Sequence, residues 1–263
     1  MPDPLERDDS PQGAPRAEGR GAALELKLGI ERLGVVPSTN EFALARPETA
    51  HGTLFLAAGQ TAGRGTRGRR WINAEGRDVA ASLVLVPPRP LVSPAPLSVA
   101  AGLAVHAACR SLGIATRLDW PNDVIARDAK LAGILVERRG DGPFVVGIGW
   151  NVEARAFPEH LVAERAVTSL ALEGADASRQ DAEAALAAAL AEWMPRAWEA
   201  PESLLAPYLA AAGLALGAPV RAKGPRDLTR EGPLLDFTFT TGAHVGAAPP
   251  VPLEHLSYLE RRP

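Results

Sequence analysis

The 263-residue sequence predicts an α/β (α+β) fold with a small β-rich unit at its C-terminal end. Three observations carry that expectation. Short apolar runs of strand length, at 53–57, 79–86, 132–138 and 144–152, are separated by glycine and proline punctuation. Two longer segments, an apolar one at 97–112 and an alanine-rich one at 178–198, have the length of helices. Beyond Gly213 the chain turns into brief β-like pieces divided by prolines and glycines. At roughly 100–200 residues per domain, the length allows one large domain, alone or with a small companion.

Each element follows from local chemistry. Residues 1–23 are expected to be a disordered polar tail, because four prolines and eight charges leave too little apolar surface to offset ordering. A strand entry at 24–36 runs into Ser38 and Glu41, whose capping-box spacing starts a short helix that ends before Pro47. The buried strand at 53–57 delivers the chain into a loop at 59–71. After the 79–86 strand comes a proline-rich connection, then the 97–112 helix, closed by Gly113 at a C′-type position. Strands follow at 115–120, 132–138 and 144–152, with Asp141-Gly142 as the hairpin turn of the last two. The 178–198 helix begins at Ser178 and Asp181, and another helix spans 201–212. Short strands at 219–222, 234–240 and 251–259 form the C-terminal unit.

Composition narrows the function classes. Hydrophobic residues at 46% and charged residues at 22% are ordinary for a globular chain that buries a core. A net charge of -3 argues against non-specific nucleic-acid binding, which needs a cationic excess. The single cysteine, Cys109, rules out an internal disulfide and any Cys-based zinc site. Five scattered histidines give no ligand spacing, so no structural metal is expected. No run of about 18 apolar residues is present and the N-terminus lacks an apolar signal core, so the default is a soluble cytoplasmic protein with no membrane partner. Cys109 and His106 in the apolar helix, and Trp193 and Trp198 in the alanine-rich one, are read as packing.

Chemistry concentrates in four clusters. Gly63-Arg64-Gly65-Thr66-Arg67-Gly68 matches a dinucleotide-binding pattern by letter, but no helix opens at the third glycine. Its unusual feature is charge: Arg64, Arg67, Arg69 and Arg70 fall within seven residues. Such a loop is either a solvated or RNA-contacting basic patch, or a flexible cradle gripping phosphate or carboxylate. Asp119-Trp120-Pro121-Asn122-Asp123 places an amide and a carboxylate at a turn. Lys130 stands at the mouth of an apolar strand containing Gly133, where a ligand or a second backbone approaches closely. Gly147-Ile148-Gly149-Trp150-Asn151 repeats that logic. Cations, carboxamides, one carboxylate and strand glycines at element ends suit a reaction that joins two anions, a carboxylic acid and a nucleotide α-phosphate.

With Ser38-Thr39-Asn40, Gln60, Gly63-Arg64-Gly65, Arg67-Gly68-Arg69-x-Trp71, Trp120-Pro121-Asn122-Asp123, Lys130-Leu131-Ala132-Gly133-Ile134-Leu135 and Gly147-x-Gly149-x-Asn151 in this order, the sequence resembles biotin protein ligases, or biotin–[acetyl-CoA carboxylase] ligases, over about residues 27–263. The resemblance implies a mixed-sheet catalytic domain at 24–212 and a small SH3-like β-barrel at 213–263. It also implies a two-step reaction in which biotin and ATP give biotinyl-adenylate, which a carrier-domain lysine then attacks. Biotin would be held by Ser38, Thr39, Asn40, Gln60, Gly63, Arg64, Gly65, Thr66, Lys130 and Gly133. ATP would be held by Arg67, Arg69, Trp71, Asn122, Lys130 and Asn151. Lys130 would bridge carboxylate and α-phosphate, Arg64 would contact the carboxylate or phosphate, and Asp123 would orient the incoming amine. Mg²⁺ would be carried chiefly by the phosphates, with no protein metal site.

The implied partner is a biotin carboxyl carrier protein or domain of acetyl-CoA carboxylase or a related carboxylase; a homodimer is left open. Lipoate or octanoate ligation, or transfer, is the alternative within the superfamily. Two positions depart from the pattern. Thr66 stands where the family commonly has a second arginine that helps clamp the adenylate, and Asp119 stands where it commonly has lysine. Longer members carry an N-terminal DNA-binding domain, which residues 1–22 cannot supply, so no DNA partner is expected.

Overall fold

The computed structural model describes residues 26–91, 93–225 and 228–262, so the expected tail at 1–23 lies outside the described residues. Seven strands form one mixed sheet in the order β1-β2-β3-β7-β6-β5-β4. These are β1 (Gly29–Val36), β2 (Thr53–Gln60), β3 (Val79–Leu85), β4 (Arg117–Asp119), β5 (Asp123–Ala126), β6 (Ala129–Arg138) and β7 (Phe144–Trp150). Only β1 and β2 pair in parallel; every other neighbour is antiparallel.

Strand alternation sorts the side chains between two faces. Leu54, Leu56, Ala81, Leu83, Ile134 and Ile148 join the main core under α2 (Ala95–Ser111) and α4 (Arg179–Trp193). Phe55, Val84 and Val145 point the other way, against Ala43 of α1 (Thr39–Leu44). That second face runs on from Val145 through Gly147 to Gly149, and across the pairing to Glu137, Leu135 and Gly133. Large side chains cover one end of it; glycines leave the other end open.

The helices α3 (Glu159–Glu164), α5 (Arg196–Glu199) and α6 (Leu205–Ala211) complete the larger unit. A second, antiparallel sheet has the order β10-β9-β8-β11, built from β8 (Pro219–Lys223), β9 (Thr229–Thr238), β10 (Gly242–Val245) and β11 (Tyr258–Arg261). This small sheet is consistent with the expected SH3-like unit. Its Val220, Leu234, Phe237 and Val245 belong to the same apolar cluster as α2 and the large sheet. Trp120 is the fastening point: its Nε1 donates to Leu256 O at 2.7 Å, and its ring meets Tyr208 and Phe237 edge-on at 5.8 and 5.6 Å.

Several boundaries differ from the sequence expectation. The 53–57 strand runs on to Gln60, because β1 keeps pairing it through Val36. The expected 178–198 helix is broken by Pro195, whose missing N–H and ring stop α4 and start α5. Ser178 and Asp181 do form a full capping box. The turn between β6 and β7 bends at Gly140, with φ +55°, and closes with Gly142 N donating to Arg139 O. Gly113, at φ +79°, ends α2 as expected. β5, β10 and α3 were not foreseen.

Candidate active site

The floor of the site is the first turn of α1. Ser38 is its N-cap, extended at φ -156°, and its hydroxyl accepts from Glu41 N. The capping box is left half-made: the Glu41 carboxylate pairs with Arg64 at 2.5 Å and Arg139 at 3.0 Å instead of turning back. Both the backbone N–H and the hydroxyl of Thr39 donate to Gln60 Oε1, at 2.8 and 3.1 Å. Asn40 is tied on every side. Its Oδ1 accepts from Ser82 at 2.6 Å, and its Nδ2 donates to Glu137 Oε2 at 2.9 Å and Leu135 O at 3.2 Å.

The arginine loop is a closed hairpin. Trp71 N donates to Gly63 O, Gly65 N to Arg69 O, and Arg69 N to Thr66 O. At Gly63 a Cβ would collide with the Trp71 carbonyl, so the close approach of the two arms requires glycine there. Arg64 NH1 reaches Glu41 and its NH2 reaches Glu137 at 2.6 Å. The Trp71 indole then lies across Gly133 and Gly149, which pair with each other in β6 and β7; a Cβ on Gly149 would overlap the ring. The strand glycines therefore admit groups of this chain itself, Trp71 here and the Asn40 amide over Gly147, where the sequence suggested a ligand or second backbone.

Charge converges beside the indole. Lys130 Nζ lies 5.4 Å from the Trp71 ring centroid and 2.5 Å from Asp123 Oδ1. Arg165 NH1 lies 2.5 Å from the other oxygen, Asp123 Oδ2. Burial pulls Lys130 below the ordinary lysine value, opposed by Asp123 and reinforced by Arg165 and Arg69. Burial likewise pushes Asp119 above the usual carboxylate range, with Arg117 opposing it. The Lys130 backbone is clamped by Ala166 O and Thr168 N, both at 2.9 Å. Asn122 Nδ2 donates to Ile134 O, and Asn151 Nδ2 to Thr168 O. Trp71 Nε1 and Asn151 Oδ1 are buried without a hydrogen-bond partner among the described residues.

These groups surround one cavity of about 500 Å³. Of the sequence-predicted residues, Ser38, Thr39, Asn40, Gln60, Arg64, Gly65, Thr66, Arg69, Trp71, Asn122, Lys130, Gly133 and Asn151 line it. Gly63, Arg67 and Asp123 do not: Gly63 is packed at the loop base, Arg67 is exposed at φ 59°, and Asp123 stands behind Lys130. Sequence reasoning missed His160, Glu164 and Arg165, which α3 and its end bring to the lining, and Glu137. Pro158-Glu159, a proline before a first-turn acid, was the available sign of α3. For Glu137 it was the period-2 step from Gly133 and Leu135.

Among the described residues, no three or more His, Cys, Asp or Glu side chains gather as metal ligands. Asp123, behind Lys130, already has a cation on each oxygen. The described residues do not fit a protein-held Mg²⁺.

Fold and site together define an α/β domain built to hold anions against a glycine-lined sheet face. Residues 33–153 match the model of the Biotin/lipoate A/B protein ligase family. The biotin–[acetyl-CoA-carboxylase] ligase of Paracoccus denitrificans is 44% identical over 123 residues, 44% of this chain and 51% of that protein. The bifunctional ligase/repressor BirA of Bacillus spizizenii is 37% identical over 161 residues, 54% of this chain and 50% of that protein. The chain thus spans about half the length of the curated relatives it matches. A biotin protein ligase from Aquifex aeolicus, solved in complex with biotin and ATP, aligns with a TM-score of 0.69 at 26% identity, covering 89% of this chain and 99% of that one.

Proposed function

We propose that this chain is a biotin protein ligase. It joins the biotin carboxylate to the α-phosphate of ATP and then passes the biotinyl group to a lysine of a carboxylase's biotin carboxyl carrier domain. The observation that carries the proposal is the convergence of five separate sequence segments on one cavity, whose lining includes Ser38, Thr39, Lys130 and Asn151 with its buried unpartnered acceptor.

In this reading the Thr39 and Gln60 pair and the Ser38 hydroxyl offer acceptors and donors to the ureido ring of biotin. The Asn151 Oδ1 atom has free lone pairs for a nucleotide donor such as the adenine amine. A carboxylate oxygen attacks the α-phosphorus, the bond to the β-phosphate oxygen breaks, and pyrophosphate leaves. Lys130 neutralises both reactants in a water-poor site, where a preorganised cation strengthens its hold as charge builds. In the second step the carrier amine attacks the acyl carbon, AMP departs with the bonding electrons and the amine's proton passes to water; Asp123, held behind the cavity wall by Lys130 and Arg165, acts through Lys130 and does not meet the amine directly. Residues 24–212 supply this chemistry, and 213–263 form the SH3-like unit. Among the described residues no helix is long and apolar enough to cross a membrane.

The test is carrier labelling. The protein is incubated with biotin, Mg-ATP and a carrier domain, and the carrier is probed with streptavidin. Transfer above a blank is expected; none from folded protein refutes the proposal, and labelling by lipoate in its place would move the chain to the lipoate branch.

A further inference from the structure

Glu137 stands on β6 outside the sequence motifs that single out the site, yet its two oxygens join two separate parts of the site. Oε2 accepts from the Asn40 amide at 2.9 Å, and Oε1 accepts from Arg64 at 2.6 Å. Asn40 belongs to the first turn of α1, the floor of the cavity; Arg64 is the first arginine of the loop. Asn40 is further fixed by Ser82 and Leu135, so the carboxylate that it holds is fixed too. The Glu137 side chain is 18% exposed, against 45% for Glu41, the other carboxylate on Arg64. Exposed pairs contribute little, because solvent screens them and both side chains lose freedom. The Glu137 contact suffers less from both: its carboxylate is half-buried and already fixed, so only Arg64 loses freedom on forming it.

We propose that Glu137 is a positioning residue that locks the arginine loop to the floor of the cavity, so that a ligand seated on Thr39 and Asn40 finds the loop already in register. The proposal rests on the biotin ligase reading for the identity of that ligand, and not for the lock itself. Without the Glu137 charge, the Arg64 arm of the loop is held at the floor only through the exposed Glu41, and seating it must be driven by ligand binding, which raises KM and leaves the chemical step alone.

The test compares Glu137→Gln, which keeps an acceptor and a donor beside Asn40, with Glu41→Gln. Trypsin cleavage after Arg67, Arg69 and Arg70 is followed without ligand, beside thermal melting. Glu137→Gln is expected to be cut in the loop about tenfold faster and to raise the KM for biotin about tenfold, the loss of one charged hydrogen bond, with kcat within about twofold of wild type. Glu41→Gln is expected to change both by less than about twofold. Unchanged cleavage for Glu137→Gln, or equal effects from the two variants, overturns the proposal. Should Glu137→Gln melt early, Arg64→Gln removes the lock from its exposed end and must speed loop cleavage equally. If wild-type protein binds no biotin, the ligase reading fails, while the cleavage comparison still decides the lock.

Discussion

Lys130 and Asp123 face each other at 2.5 Å behind the Trp71 indole, and the carboxylate is held from its far side by Arg165. The carboxylate opposes the burial that would otherwise favour the neutral amine of Lys130.

Removing that ammonium tests its role. Lys130→Ala is expected to lower the rate of adenylate formation by about 10²–10³-fold, the scale for one preorganised charge-stabilising group. Pyrophosphate release is the measurement, and near-wild-type turnover would show that Lys130 is not at the reacting centre.

A pH profile separates Lys130 from its partner. Burial favours the neutral amine, and Asp123 opposes that pull. In Asp123→Asn burial is unopposed, so the ammonium is lost at a lower pH and the alkaline limb of kcat/KM for adenylation moves down the pH scale. An unmoved limb, or one shifted upward, contradicts the assignment.

Thr66 lines the cavity where the family commonly has an arginine. Wild-type protein is therefore expected to release biotinyl-adenylate faster than Thr66→Arg does, as followed by hydroxylamine trapping of free adenylate. Equal release rates would remove any significance from this threonine.

Gly149→Ala places a methyl group inside the space of the Trp71 ring. The ring must leave the sheet, so a change in tryptophan emission and a rise in the KM for ATP are expected while the secondary structure persists. A variant with wild-type emission and KM would mean that the indole packs elsewhere.

The site was more legible than the fold around it. Ser38, Gln60, Arg64, Trp71, Asn122, Lys130 and Asn151 are chemically distinctive residues at turns and strand ends, and all of them line one cavity. Gly133, Gly147 and Gly149 announced a close approach without saying of what; the answer is tertiary, an indole and an amide from 62 and 107 residues upstream of Gly133 and Gly147 respectively. β5 is four residues long, too short for a period to show. α3 buries none of its residues, so no apolar face marks it, and Arg165 meets a carboxylate 42 residues away. No local pattern encodes such a meeting.

Trp120, in the turn that carries Asn122 and leads into Asp123, is roofed by Phe237 of the small C-terminal sheet and by Leu256 just before its last strand. Amputating that sheet would strip an indole and the neighbouring Tyr208 of their cover and set that turn adrift. The appendage thus behaves as a keystone: heat should melt both parts in one cooperative event, and a shortened chain should lose the site together with its tail.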